Sequence, residues 1–301
     1  MFGFKYDYEN FPKWELDNDE VEVVQGDVNH RRVRVLPPVV YATKDDYDLH
    51  IRFVVPQEVD ESKKYPLIMH VRGSAWMEQN LEGIIGDFYE YVKAGYAIAI
   101  LRYRPATTAK FPAQVLDIKT AVRYIQEHAE EYPIDSNCIF LSGDSSGGHI
   151  ASLAYLTWNE DVLDNEEETT PLPQLKGYID YFGVTDPEHL SKTETGLPVE
   201  ANAGIGEMLF ERPASEDPSV FAQGNVACYI DLREKLEPVL LLHGNKDRLV
   251  PLCHSTRFFE LLKNRGVDAK MYMINDADHE GTVFWCDVTK NLAIDFLNKH
   301  Q

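Results

Sequence analysis

Basic residues are scarce in this sequence. Only 29 Lys and Arg stand against 50 Asp and Glu, a formal net charge of −21 at pH 7. A surface of that sign repels phosphate backbones and anionic lipid, so nucleic acid and membrane are excluded as expected partners. Its plain consequence is solubility; steering of a cationic substrate is the alternative. Cysteine is scarce as well. Cys138, Cys228, Cys253 and Cys286 form no C-x-x-C pair, which removes support for zinc binding or thioredoxin-like chemistry. Cys138 lies in an apolar run and reads as a small core residue. No apolar run reaches the ~18 residues of a membrane span. The opening residues, MFGFKYDYENFPKWELDNDE, lack the basic and apolar regions of a secretory signal. Free thiols in a reducing cytoplasm are the resulting expectation. Internal repeats and low-complexity linkers are missing too.

What is present suffices for a core. The 301 residues are 44% hydrophobic and 11% aromatic, enough for one large α/β domain over 1–301. Residues 1–30 are acidic and aromatic with weak patterning, an N-terminal arm that packs on the domain or a mobile end. Arg32 to Ala42 and Tyr47 to Val55 read as β-structure around the turn-like Thr43 to Asp46. In the second, Leu49, Ile51, Phe53 and Val55 alternate with His50, Arg52 and Val54, the mark of a half-buried antiparallel strand.

The character then changes. Continuous apolar runs appear at Leu67–Val71, Tyr96–Leu101, Cys138–Leu141, Tyr178–Phe182, Val239–Leu242 and Met271–Ile274. Strands apolar on both faces belong in a parallel sheet covered by helices. Helical stretches separate them. In Ala113 to Glu130, Val115, Ile118, Val122, Ile125 and Ala129 share one face. Other helices are expected at 81–94, 147–158, 255–264 and 285–299. The fold class is α/β: a mostly parallel sheet, helices on both faces, and antiparallel N-terminal strands. Two long segments interrupt the alternation. Residues 159–174 carry the acidic run Glu166-Glu167-Glu168, a solvated loop. Residues 187–233 read as a lid or substrate-binding insertion, with a wandering surface connection as the alternative.

Gly143-Asp144-Ser145-Ser146-Gly147 fits G-x-S-x-G between an apolar strand and a helix. Such a turn forces its central serine into unfavourable backbone angles and exposes the hydroxyl; glycines are needed where no Cβ fits. The N–H of Ser146 then faces the oxygen of an attacked carbonyl. A serine hydroxyl needs a base, and the base an orienting acid. Asp247 follows the strand Val239–Leu242, and His279 follows the strand Met271–Ile274. Both are loops at strand ends, where open α/β sheets gather their catalytic groups. Asp276 and Asp278 compete as the acid, and Asp247 has the better strand context. His254 and His300 compete as the base but belong to a helix start and a chain end. His149, His243 and Asp144 read as packing or hydrogen-bonding residues. The second oxyanion donor belongs to the loop Arg72-Gly73-Ser74-Ala75-Trp76, where Gly73 and Ser74 are the candidates and Ser74 is preferred. Trp76 is placed as a wall of the substrate pocket, with the core as its competing location.

From about Pro66 onward the chain resembles the α/β-hydrolase esterases related to hormone-sensitive lipase and to bacterial acetyl-xylan and feruloyl esterases. The resemblance is carried by 72–76, by Leu101-Arg102-Tyr103-Arg104-Pro105 with Phe111-Pro112-Ala113 and Asp117, by 143–148, by 243–251 and by the loop of His279. It implies an eight-stranded hydrolase fold and serine-dependent hydrolysis of a small-molecule ester without a cofactor or metal. One departure concerns the family's H-G-G-G-W, which here is Arg72-Gly73-Ser74-Ala75-Trp76. The backbone donors survive the exchange; the size of the group accepted beside the loop is what changes. Acetyl, short acyl and cinnamoyl esters all remain open. A peptidase of the prolyl oligopeptidase type shares such a catalytic domain, and a non-catalytic binding protein on the same fold is the rival from another class. Oligomeric state is not legible; a homodimer is carried as the open option.

Overall fold

The computed structural model describes residues 9–27, 30–58, 60, 62–164, 170–193, 195–212 and 216–301. The chain divides into two units, Met1–His30 and Arg31–Gln301. Among its described residues the first unit holds no helix or strand. The run Glu166–Glu168 lies outside the described residues.

The second unit is built on a sheet of nine strands: β1 (Arg32–Val35), β2 (Val39–Lys44), β3 (Tyr47–Gln57), β4 (Tyr65–Val71), β5 (Ala97–Leu101), β6 (Ile134–Asp144), β7 (Leu175–Tyr181), β8 (Val239–Gly244) and β9 (Ala269–Ile274). Its order is β1-β3-β5-β4-β6-β7-β8-β9, with β2 also on β3. Strands β1 to β3 and the β3/β5 pair are antiparallel, and every pairing from β5 to β9 is parallel. The expected count of eight strands is therefore exceeded by one. Leu36-Pro37-Pro38 splits the stretch read as a single β-region, because proline cannot donate to the ladder. The two pieces share one edge of β3, β1 against Val54–Gln57 and β2 against Tyr47–Ile51.

Among the described residues the α-helices are α1 (Tyr89–Ala94), α2 (Ala113–Glu127), α3 (Ser145–Leu156), α4 (Pro187–Ser191), α5 (Val199–Phe210), α6 (Pro218–Ala222), α7 (Cys253–Asn264) and α8 (Asp287–Lys299), with short 3-10 turns between some of them. Period-two alternation sorts the sheet's side chains onto two faces. Leu67, Met69 and Val71 of β4 meet Val115, Ile118 and Ile150 in one core, while Ile68 joins Phe88, Tyr91, Ala293 and Leu297 in the other. Residues 187–233 are mostly helical, and Leu209, Phe210, Phe221, Val226 and Ile230 from this segment are buried in the first core. Of that segment, 194 and 213–215 lie outside the described residues.

From β4 the chain crosses to β5 on one side and later to β6 on the other. The loops leaving β4 and β6 therefore part in opposite directions and open a crevice at the carboxyl ends of these strands. Because Val71 pairs with Gly143, the loop beginning at Arg72 starts beside the turn holding Ser145.

Next to this crevice the segment after β5 is clamped by a buried ion pair. Asp117 of α2 accepts from the Arg104 backbone N–H at 2.9 Å and from Arg104 Nη2 at 2.7 Å, and Arg104 Nη1 reaches Asp45 at 2.6 Å. Asp117 is completely buried. Removing one partner of such a pair strands the other charge, which typically costs about 3–5 kcal/mol. Asp117→Ala is accordingly expected to lower the unfolding free energy by roughly that amount in urea titrations. A loss under about 1 kcal/mol would show that water takes over the Arg104 guanidinium.

Candidate active site

The turn between β6 and α3 puts Ser145 at φ 53°, in the left-handed region. Tightness explains the flanking glycine. A Cβ on Gly147 would lie 2.1 Å from the Val71 carbonyl oxygen, so a side chain there would push α3 off β4.

Three loops bring Ser145, His279 and Asp247 together. His279 Nε2 lies 2.8 Å from Ser145 Oγ, and His279 Nδ1 lies 2.7 Å from Asp247 Oδ2. With Nδ1–H donated to the carboxylate, Nε2 is left as an acceptor for the serine hydroxyl. Asp247 itself is fixed from several sides. Its Oδ1 accepts the N–H groups of Leu249 and Val250, both at 2.8 Å. Its Oδ2 also lies 3.1 Å from His243 Nε2. Burial alone would raise the Asp247 carboxyl, but hydrogen bonds from His243 and His279 outweigh it and hold the group far below the ordinary carboxylate range.

The competing acids have other partners. Asp276 pairs with Lys246. Asp278 accepts the backbone N–H of Arg248 at 2.9 Å, Arg248 Nε at 2.6 Å and the N–H of His279 at 2.8 Å. Asp278 thus ties the loop of His279 to the loop of Asp247. His254 is buried against Thr185, and burial lowers its imidazole to about 3. His300 packs on Phe296 at the chain end.

The oxyanion candidates separate. Asp144 is completely buried, with its carboxylate on His70 Nε2 at 2.9 Å, on Arg72, and on the Gly73 N–H at 2.8 Å. Gly73 is therefore spent on a buried, ionised carboxylate, a stronger acceptor than the neutral hydroxyl that faces the Ser74 N–H, which corrects the expectation for it. What the position requires is the absence of a side chain, since a Cβ would meet the Asp144 carbonyl oxygen at 2.5 Å. The Ser74 N–H points to Ser146 Oγ at 2.9 Å. Asp144 stands at the N-cap of α3 without capping it through its side chain, so the first N–H groups of the helix, Ser146's among them, are left for another oxygen.

Trp76 also departs from expectation. Its side chain is 2% exposed and lies in the core, donating its indole N–H to His149 Nδ1 at 3.1 Å. His149 Nε2 in turn lies 2.7 Å from the Gly224 carbonyl oxygen, which pins the 187–233 segment to α3. Burial lowers the His149 imidazole to about 4, so it stays neutral, accepting from Trp76 and donating to Gly224. The indole is a core residue whose polar edge has found its partner inside.

Among the described residues no group of three or more His, Cys, Asp or Glu is arranged to hold a metal ion, and no helix is long and apolar enough to cross a membrane.

Comparison with known proteins bears on both fold and chemistry. A family model described as BD-FAE matches residues 53–262. Esterase LipQ of Mycobacterium tuberculosis is 24% identical over 216 residues, 70% of this chain and 48% of its own length. A probable isoprenylcysteine alpha-carbonyl methylesterase ICME of Oryza sativa subsp. japonica is 27% identical over 252 residues, 82% of this chain and 58% of its own. The chain thus spans about half the length of the curated relatives it matches. A solved structure, the truncated form of a carbohydrate esterase from gut microbiota, matches with TM-score 0.73 at 23% identity, over 89% of this chain and 96% of that one. That likeness shows the α/β-hydrolase fold.

Proposed function

This chain belongs to the BD-FAE family, and we propose that it is a carboxylic-ester hydrolase acting on small acyl esters through Ser145, His279 and Asp247. The observation that carries the reading is the pair of hydrogen bonds on the His279 ring, 2.8 Å to Ser145 Oγ and 2.7 Å to Asp247 Oδ2. Ser145 Oγ attacks the ester carbonyl while His279 Nε2 takes its proton. Asp247 holds the imidazole in the tautomer with Nδ1–H and stabilises its protonated form. The N–H groups of Ser146 and Ser74 bind the tetrahedral oxyanion, a contribution of about 3 kcal/mol per donor in comparable sites. His279 then protonates the leaving alcohol, and water activated by the same imidazole releases the acid from the acyl-enzyme.

Acetyl, other short acyl and cinnamoyl groups fit this reading. The leaving alcohol meets the loops of Arg248 and Glu280, which border Asp247 and His279. No cofactor takes part in the sequence of steps.

Labelling with a fluorophosphonate tests the assignment directly. The expected result is a single adduct on Ser145 and turnover of p-nitrophenyl acetate that disappears in step with it. A protein that takes no label at Ser145 and hydrolyses no member of an ester panel would be a binding protein on this fold, and the esterase reading would fall.

A further inference from the structure

Three hydroxyl groups outside the Ser-His-Asp set meet beside the turn of Ser145. Ser146 Oγ accepts the Ser74 N–H at 2.9 Å. Tyr103 Oη lies 3.3 Å from Ser146 Oγ and 3.2 Å from Ser74 Oγ. Ser74 Oγ donates its one hydrogen to the Met77 carbonyl at 2.7 Å. The Tyr103 side chain is completely buried.

Counting hydrogens fixes the direction of the chain. Ser74 Oγ has spent its proton on Met77, so it can only accept from Tyr103. Tyr103 has one hydrogen; given to Ser74, it leaves the phenol oxygen to accept from Ser146. The order is then Ser146 O–H to Tyr103, Tyr103 O–H to Ser74 Oγ, Ser74 O–H to Met77, with the Ser74 N–H closing back on Ser146 Oγ. Every member is satisfied, which a buried set of hydroxyls requires. Burial pushes the Tyr103 phenol up to about 12, so its proton stays in place at working pH.

The loop that this ring holds has reason to need it. Ala75 and Trp76 lie at φ 53° and φ 60°, a left-handed conformation that residues with a Cβ disfavour. Tyr103 is itself anchored: its backbone N–H goes to Gln79 Oε1 at 3.1 Å, and the next residue, Arg104, is clamped to Asp117.

We propose that Tyr103, Ser74 Oγ and Ser146 Oγ form a frame that positions the Ser74 N–H for the oxyanion, with Ser146 Oγ standing in for that oxygen at rest. The proposal rests on the esterase reading above. When the carbonyl oxygen of an ester becomes an oxyanion, the Ser74 N–H exchanges one oxygen acceptor for another, and Ser146 keeps its bond to Tyr103. Tyr103 never touches the substrate; it is a positioning residue. Its contribution is realised in the transition state and not in ground-state binding, so it belongs in kcat.

The experiment compares Tyr103→Phe, Ser74→Ala and the double variant with the wild type. Turnover of p-nitrophenyl acetate and inhibition by a trifluoromethyl ketone, which forms a tetrahedral adduct on serine, are the readouts. Each single variant is expected to lower kcat about tenfold, the size of one lost hydrogen bond, with KM within about twofold. Inhibitor affinity should fall by the same factor, and the double variant should lose no more than either single one. Wild-type kcat and inhibitor affinity in both single variants, a change confined to KM, or multiplying losses in the double variant would each overturn the frame. Should Tyr103→Phe prove poorly folded in urea titration, Ser74→Ala alone decides, because it keeps the backbone N–H and removes only the hydroxyl. Failure of the wild type to react at all would count against the esterase reading instead.

Discussion

Ser145→Ala is expected to lower kcat for p-nitrophenyl acetate by about 10⁶-fold, the loss seen when a triad nucleophile is removed. The substitution deletes the oxygen that lies 2.8 Å from His279 Nε2, so attack on the ester is left to water. Backbone strain at φ 53° is common to serine and alanine, so folding stability should move by less than about 1 kcal/mol. The proposed oxyanion donors, the N–H groups of Ser146 and Ser74, remain, and a residual acceleration of about 10³–10⁴ over water is what such donors and substrate binding supply on their own. Stopped assays on highly purified variant, with fluorophosphonate labelling as the control for contaminating wild type, measure the loss. Retention of one per cent of wild-type turnover in unlabelled protein would mean that another group attacks the ester.

How far the sequence could be read depended on what each feature demands of its neighbours. The turn around Ser145 was legible because its requirements are local: a strand, a helix, and glycine where a side chain has no room, as at Gly147 against Val71. Parallel strands showed themselves through apolar runs with no polar face. Asp247 was harder, since three aspartates lay within reach along the chain. Only the folded loops show Asp276 on Lys246 and Asp278 on Arg248, with Asp247 beside His279. Gly73 misled for a related reason. An N–H next to a nucleophile turn can serve an oxyanion or a buried carboxylate, and the buried Asp144 takes it here. The direction of the Trp76 side chain is set by His149, from another element, so no pattern around Trp76 itself announces it. Tyr103 stood inside a recognised motif, yet its hydroxyl gains meaning only from Ser74 and Ser146, which are 29 and 43 residues away.

Asp247→Asn tests the acid by turning the oxygen that faces His279 Nδ1 and His243 Nε2 into a donor while preserving shape. An amide oxygen placed as Oδ1 still accepts the N–H groups of Leu249 and Val250. The amide nitrogen then faces His279 Nδ1 as a donor, and the imidazole must answer by accepting there. Its proton moves to Nε2, directed at Ser145 Oγ, where it can no longer receive the serine's hydrogen. A fall of about 10⁴-fold in kcat follows from that exchange of tautomer. A second consequence separates this aspartate from a bystander. Burial opposes ionisation of Asp247, but His243 and His279 hold the carboxyl well below the value it has in the unfolded chain. A group so depressed stabilises the fold at pH above its unfolded pKa and loses that contribution as pH falls through the folded value. Asparagine has no such term, so urea unfolding followed from neutral to strongly acid pH should show a shallower acid decline in the variant than in the wild type. If kcat falls less than about a hundredfold, or if the two acid limbs coincide, the carboxylate that orients His279 has been misassigned and Asp278 becomes the residue to replace.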